Sequence, residues 1–377
     1  METEETEVKP GGSGSASGSG SALKAAPAPE PQLPESELPQ VLSDRKARRT
    51  LVISLVLLVV LCLIGMSAGR YTIPVEECLK IIASRFVDVE QTWTQQMETV
   101  LIDIRLPRLI VAVLVGAALA TSGASYQGLF RNPLVSPDIL GVSGGACVGA
   151  AIAILLHVNG AIELSAFVFA TVTVLLTTLI PRLLKNRSTL MLVLSGVLIG
   201  GLMTSLMSFL KYVADADTEL AEIVYWTMGS IAGTRWKDLP VVAAIIIAAM
   251  AVLQMLRWRI DVLSLGDAEA QSLGVNVRRT RVAVIVCSTL LTSSAVCVSG
   301  TVGWIGLVIP HICRLVVGQS NRSLLPLSAV VGAMFLVLVD TVCRTVSPNE
   351  IPLSIFTGLI GVPMFVVLLI LQKQKVE

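Results

Sequence analysis

The chain has 377 residues, of which 54% are hydrophobic and only 15% charged, and its formal net charge is +1. This balance excludes a soluble globular protein and predicts a polytopic membrane protein, because nearly every stretch after residue 50 supplies the roughly 20 apolar residues that one spanning helix needs. The net charge says nothing about nucleic acid, but no basic stripe with interleaved aromatic residues appears, and no nucleic-acid partner is predicted.

The first 44 residues are rich in Glu, Gly, Ser and Pro and contain few apolar residues. Such a composition cannot bury enough apolar surface to fold, so residues 1–44 are predicted to be a disordered tail. A basic cluster at residues 45–49 then adjoins the first apolar run. Because positive residues favour the cytoplasmic side of membrane helices, the tail is predicted to be cytoplasmic and residues 45–377 to form the transmembrane domain.

Ten apolar runs follow and predict an all-α fold with about ten membrane-spanning helices. The runs are residues 51–69, 109–125, 139–156, 162–180, 189–210, 241–256, 282–298, 303–318, 324–342 and 353–371. The eighth run is short and contains Pro310, so it is predicted to be broken, tilted or sheltered by protein. An even number of spans places both termini in the cytoplasm, together with all the strongly basic connections.

The stretch 257–281 is a polar island between two long apolar runs, with five arginines and three acidic residues. A short helix is predicted within it, over residues 267–273. Its signals are a preceding glycine, two acids in the first turn and a following C-cap glycine, namely Gly266, Asp267, Glu269 and Gly274. A short capped helix between two spans is suited to insertion into a partner's groove. The alternative is a solvated loop whose arginines only set the topology.

The segment from Gly141 to Gly145 reads Gly-Val-Ser-Gly-Gly and matches the serine-nucleophile patterns G-x-S-x-G and GxSG. Such chemistry needs Ser143 beside a histidine base, and His157 and His311 are the only histidines in the chain. Small residues repeating every four positions are also typical of close helix packing. An intramembrane serine protease is therefore kept as an alternative.

No G-x-x-x-x-G-K-[ST] motif occurs in the chain, so it cannot bind ATP through a P-loop. Acids are scarce inside the predicted spans, whereas a secondary transporter, the other alternative, needs coupling-ion residues there. Asp340 and Arg344 are an exception, and their four-residue spacing lets them pair along one helix face. With two histidines and no C-x-x-C among seven cysteines, neither a metal site nor a directly bound cofactor is predicted. These features favour a non-enzymatic translocator whose ATPase is a separate polypeptide.

Seven stretches carry longer motifs that occur in one order along residues 50–371. They are RLPRL (105–109), QGLFRNPL (127–134), LGVSGG (140–145), WTMGSIAG (226–233), LGDAEAQSLGV (265–275), SGTVGWIGLVIPH (299–311) and IPLSIFTG (351–358), followed by Gly361 and Pro363. In this respect the chain resembles the FecCD/BtuC-type permeases of ABC importers for iron-siderophores, haem and vitamin B12. The long tail, residues 1–44, departs from that family's usual pattern.

The resemblance implies a BtuC-like permease subunit of an ATP-driven importer in the cell membrane. It further implies a second permease subunit, identical or closely related, with the pathway between the two, and cytoplasmic ATPases that use the ATP. An external binding protein is implied to deliver the cargo, for which an iron-siderophore is favoured over haem and cobalamin. The residues implied to couple the chain to the ATPase are Leu265, Gly266, Asp267, Glu269, Ala270, Leu273 and Gly274.

Three arginines fall at the external ends of predicted spans, although positive residues avoid short external loops. These are Arg105, Arg108 and Arg344, and they are expected to form a cationic rim. Arginine presents a planar, permanently charged fork that matches carboxylates. The resemblance implies that arginines at these positions contact glutamates of the binding protein. The alternative is snorkelling of their side chains to lipid phosphates.

Small residues in the third and fifth spans and before the eighth are expected to line or border the pathway. Glycine permits close approach and makes the backbone pliable. Simple helix packing is the alternative interpretation. The residues concerned are Gly141, Gly145, Gly196, Gly200, Gly300, Gly303 and Pro310.

Overall fold

The computed structural model describes residues 38–186, 188–347 and 350–373, and within these ranges the chain contains helices and no strand. The described residues from 42 onward form one compact unit. The helices are α1 (Leu38–Ser67), α2 (Val75–Ala83), α3 (Gln95–Thr99), α4 (Leu106–Phe130), α5 (Val142–Leu155), α6 (Ile162–Leu183), α7 (Thr189–Val213), α8 (Glu219–Met228), α9 (Leu239–Leu265), α10 (Asp267–Ser272), α11 (Val277–Ser299), α12 (Ile305–Val317), α13 (Asn321–Val346) and α14 (Leu353–Lys373). The predicted disordered tail lies outside the described residues as far as residue 37, and residues 38–44 form the start of α1.

Each of the ten predicted spans corresponds to one helix, which confirms the all-α polytopic fold. In the part of the chain that the structure describes, seven helices are long and apolar enough to cross a membrane: α1 from Arg45, α6, α7, α9, α11, α13 and α14 as far as Ile370. Helix α4 has 25 residues, whereas α5 and α12 are apolar but have only 14 and 13. The short eighth span was expected to be sheltered, and most residues of α12 are indeed buried.

Helix α4 is the centre of the bundle. It packs against α9, α11, α12 and α13, and 20 of its 25 residues are buried. A helix that is apolar or small on every side has no reason to face water, so it occupies the interior. Two glycines allow backbones to meet: a Cβ on Gly116 would overlap the carbonyl oxygen of Gly332 in α13, and one on Gly123 would overlap that of Gly306 in α12.

The start of α4 follows a π-helical turn, Val100–Arg105. Pro107 lies in the first turn of α4, has no N–H to donate to the carbonyl of Asp103, and would crowd that carbonyl in a regular helix. A local widening to π geometry relieves this conflict. Arg105 and Arg108 therefore lie on either side of a change in helix geometry.

The outer helices of the bundle expose apolar faces. The spanning window of α11 is 72% buried, against 17% for α1 and 22% for α14. Val52, Val56 and Val60 form an exposed stripe on α1 with helical spacing. Such a stripe suits contact with lipid chains.

Candidate functional site

Helix α10 is a short helix that projects from one end of the bundle, between α9 and α11. It begins after Gly266, whose φ of 147° suits glycine, and Leu273 closes it. The N–H of Gly274 donates to the carbonyl of Gln271, and that of Val275 donates to the carbonyl of Ala270. These two bonds, with φ of 77° at Gly274, form a Schellman cap. The predicted helix over residues 267–273 is confirmed, one residue shorter.

The side chains of the predicted ATPase-coupling segment face in two directions. Ala270 is fully buried against the core. Leu265 and Leu273 are 63% and 54% exposed, and Glu269 is exposed as well. The segment therefore has one face that anchors it and one face that is available to a partner.

Asp267 belongs to the anchored part because its carboxylate is bound within the chain. Nη2 of Arg131 donates to its Oδ1 at 3.0 Å, and Nη2 of Arg281 donates to both oxygens at 3.1 Å. Arg131 also donates from Nε to the carbonyl of Leu263 at 3.0 Å. We call Arg131, Asp267 and Arg281 the Asp267 clamp. Arg131 lies in the QGLFRNPL motif and Arg281 at the end of the polar island, and neither position in the sequence predicts this contact.

The opposite end of α4 holds a second charged group, the Arg108 cluster, which consists of Arg105, Arg108, Asp340, Arg344 and Glu350. Arg108 donates to Asp340 Oδ1 from Nε at 2.8 Å and pairs with it through Nη2 at 2.7 Å. Its Nη1 lies 2.7 and 2.8 Å from the two carboxylate oxygens of Glu350. The side chains of Arg108 and Asp340 are 7% and 3% exposed, whereas Glu350 is 34% exposed.

Arg105 and Arg344 cap the end of α1. Arg105 donates to the carbonyls of Met66, Ser67 and Tyr71, and Arg344 donates to those of Gly65 and Ala68. The last carbonyls of a helix have no partner within it, so cationic donors satisfy them and favour the negative helix end. The predicted pairing of Arg344 with Asp340 is confirmed, at 3.5 Å from Nε to Oδ2.

The expected exposed cationic rim is not what the structure shows. Arg105 and Arg108 are each 6% exposed and Arg344 is 10% exposed at its side chain, and all three bind groups of this chain. All three lie at span ends as predicted, but Arg105 and Arg344 bind the end of α1, and Arg108 binds Glu350, across long separations in the sequence. A role in docking the binding protein stays a prediction.

Most of the predicted pathway residues have packing partners. A Cβ on Gly145 would overlap Thr173, one on Gly196 would overlap the carbonyl of Ile139, and one on Gly300 would overlap Trp226. Gly141 has φ 79° and joins a short 3-10 turn to α5, and Pro310 is buried inside α12. Around Gly200 and Gly303 nothing in the described chain lies within 4 Å of an added Cβ. Packing thus accounts for several of these residues, and lining a pathway stays a prediction.

Ser143, the residue required by the protease alternative, lies at the N-terminal end of α5. Its N–H donates to Asp138 Oδ1 at 2.8 Å. His157 follows the opposite end of the 14-residue helix, roughly 20 Å away at 1.5 Å per residue, and lies 3.4 Å from Glu219. His157 therefore cannot act as a base for Ser143.

Comparisons with known proteins place these features in context. The family model described as the FecCD transport family matches residues 57–371. The molybdate import system permease protein of Haemophilus influenzae is 40% identical over 313 residues, 83% of this chain and 92% of that protein. A probable iron chelatin transport system permease protein of Helicobacter pylori is 39% identical over 82% of this chain and 95% of its own. An inward-facing solved structure of a putative metal-chelate type ABC transporter is similar with TM-score 0.76 and 38% identity, covering 85% of this chain and 99% of that one.

Proposed function

This chain belongs to the FecCD transport family and is a multi-pass permease subunit of an ABC importer, and we propose that its cargo is a metal chelate, with an iron-siderophore favoured. The family confirms the resemblance read from the motifs. The family subunit is not itself catalytic, and ATP hydrolysis belongs to a partner ATPase. Support for the cargo comes from the iron chelatin relative and from the metal-chelate transporter that shares the fold.

An uptake experiment tests the cargo. Cells lacking the gene and complemented cells receive radio-iron-labelled hydroxamate siderophore, haem, cobalamin or molybdate in parallel. The proposal expects gene-dependent uptake of the iron-siderophore. Gene-dependent uptake of molybdate alone, the cargo named for the Haemophilus relative, overturns the cargo proposal and leaves the family role intact.

Docking of the partner ATPase is proposed for the exposed face of α10. The observation that carries this role is the short, Schellman-capped helix that exposes Glu269 and is flanked by the exposed Leu265 and Leu273. A short amphipathic helix with apolar anchors fits a groove on a partner. We expect Leu265→Glu with Leu273→Glu to reduce copurification of the ATPase strongly, and Leu79→Glu, at a half-exposed leucine of α2, to leave it intact. Unchanged copurification in the first variant contradicts α10 docking.

The end of the bundle that carries α10 is proposed to face the cytoplasm, with both termini on that side of the cell membrane. Exposed Arg278 and Arg279 beside α10 support this orientation, because cytoplasmic connections are enriched in arginine. The native cysteines are buried or half-buried, which permits a labelling test. A membrane-impermeant maleimide should label Asp88→Cys from outside in intact cells and should label Ser272→Cys only after lysis. The reverse pattern contradicts the orientation.

A second permease subunit is proposed to complete the pathway. A cavity of about 280 Å³ among α4, α6, α8, α9 and α11 lies below the roughly 300–1,000 Å³ usual for small-molecule sites. A pathway for a chelate therefore suits the space between two subunits better than this cavity. Cysteines placed along residues 195–204 should change their labelling when ATP is added. Equal labelling of every position with and without ATP contradicts this role for α7.

The end that carries the Arg108 cluster is proposed to receive the external binding protein. The cluster contains three guanidinium groups and two carboxylates, so it carries a surplus positive charge that suits an acidic partner. Glu350, the more exposed of the two acids, pairs with Arg108 through Nη1. No cofactor is proposed for this chain, and ATP is proposed to be used by the partner alone.

A further inference from the structure

The Asp267 clamp binds α10 to the rest of the bundle. Asp267 is the first residue of α10, and its carboxylate accepts hydrogen bonds from α11, through Arg281, and from the residue that ends α4, Arg131. The proposed docking residues Leu265, Glu269 and Leu273 form none of these bonds. The clamp and the proposed docking residues therefore use different side chains in and around α10.

Arg131 adopts a backbone conformation that points to a specific requirement for its side chain. Its φ is 53° and ψ is 33°, the left-handed region, and it lies in the C-cap position of α4. Glycine or asparagine fits this conformation more readily than arginine does. A residue that only ended the helix would have no need of a guanidinium group. This one bridges the Leu263 carbonyl in the last turn of α9 and the Asp267 carboxylate.

Helix α4 is well suited to carry a displacement from its Arg131 end to the end that holds the Arg108 cluster. It is 25 residues long, roughly 37 Å at 1.5 Å per residue, and it is buried over most of that length. Its backbone contacts at Gly123 and Gly116 leave no space in which the helix could shift alone against α12 and α13. Its far end is fixed by the Arg108 cluster.

We propose that Arg131 is a positioning residue that transmits movement of α10 into α4. Asp267 passes this movement to Arg131 through their ion pair and does not contact the ATPase. This inference rests on the proposed docking of α10. It assigns to Asp267 a role different from the one expected for the coupling segment as a whole.

The test uses the complete complex of permease, ATPase and binding protein in proteoliposomes, with radio-iron-labelled hydroxamate siderophore as the probe. The readouts are ATPase copurification, melting temperature, ATP hydrolysis and siderophore transported per ATP hydrolysed. Arg131→Asn removes the guanidinium and keeps a residue that tolerates the left-handed backbone. Arg278→Asn is the matched control, because Arg278 is exposed on the neighbouring α11 and forms no ion pair within the described chain.

We expect Arg131→Asn to lower transport per ATP at least fivefold with normal ATPase copurification and melting temperature, while Arg278→Asn matches the wild type. Asp267→Asn should give the same loss, and the double variant should be no worse than either single one, because all three remove one link. A wild-type ratio in Arg131→Asn, or loss of ATPase copurification in Asp267→Asn, overturns the inference. If Leu265→Glu with Leu273→Glu still binds the ATPase, α10 docking fails, and the inference fails with it.

Discussion

The two ends of α4 use the same chemistry in opposite environments. At one end, Arg108 is paired with Asp340 and Glu350 in a nearly buried cluster. At the other, Arg131 is paired with Asp267, and the two side chains are 44% and 47% exposed. Burial makes the first group part of the fold, since neither partner can be removed without leaving a charge in an apolar surrounding. Exposure makes the second group adjustable, since water can replace either partner.

The largest effect should come from breaking the buried pair. Asp340→Asn leaves Arg108 with only the half-exposed Glu350 as a charged partner, and we expect a loss of about 3–5 kcal/mol in the free energy of unfolding. Thermal unfolding of the purified protein in detergent measures this loss. Asp217→Asn, a change of the same type at an exposed position, should unfold like the wild type. Equal melting temperatures of the two variants would show that the cluster does not support the fold.

A smaller loss of stability is expected from a substitution in the middle of α4. Gly123→Ala places a methyl group against the carbonyl of Gly306, and backbone cannot yield as a side chain can, so we expect a loss of about 1–3 kcal/mol. Gly200→Ala is the control, because nothing in the described chain lies within 4 Å of its added Cβ. The same detergent melts compare the two. Similar melting temperatures would contradict close packing of α4 against α12.

A still smaller loss of stability is expected from a change at Glu350, the half-exposed acid of the Arg108 cluster. Glu350→Gln removes a charge that water can partly replace, and we expect a loss of about 1 kcal/mol in stability. If the binding protein uses Arg108, the same variant should bind it more tightly, because an internal competitor is gone. Affinity of the loaded binding protein for the permease in nanodiscs measures this. Glu90→Gln, at an exposed position, is the control, and weaker binding by Glu350→Gln would argue against docking on Arg108.

The smallest effect on stability is expected at the Asp267 clamp. Arg131→Asn should change the free energy of unfolding by less than about 1 kcal/mol, because the pair is exposed. High salt should separate the two ends further. At about 1 M salt the screening length falls to roughly 3 Å, so the loss of stability in Arg131→Asn should vanish. The loss of stability in Asp340→Asn should persist, because that pair is buried. Melting temperatures at low and high salt test both statements. A deficit of Arg131→Asn that high salt leaves intact would contradict the exposed character of the clamp.

Most of the fold could be predicted from local patterns. Apolar runs identified every spanning helix, and glycine and acid positions identified α10 to within one residue. The first residues of α5 and α12 were less clear, because Gly141 and Trp304 directly precede these helices with positive φ angles that apolar composition does not reveal. Motif order alone led to the family, since several long motifs in one order rarely coincide by chance.

The sites depended on tertiary structure to different degrees. The sequence by itself determined that the chain spans the membrane, that a capped helix follows α9, and that Asp340 and Arg344 can pair, because these properties depend on neighbours within one or two helical turns. Only the tertiary structure decided that Arg105 and Arg344 cap α1, that Arg108 binds Glu350, and that Arg131 binds Asp267. These partners are separated by 136 or more residues or lie on different helices, and which carboxylate or carbonyl meets a given arginine is set by how the helices pack around α4.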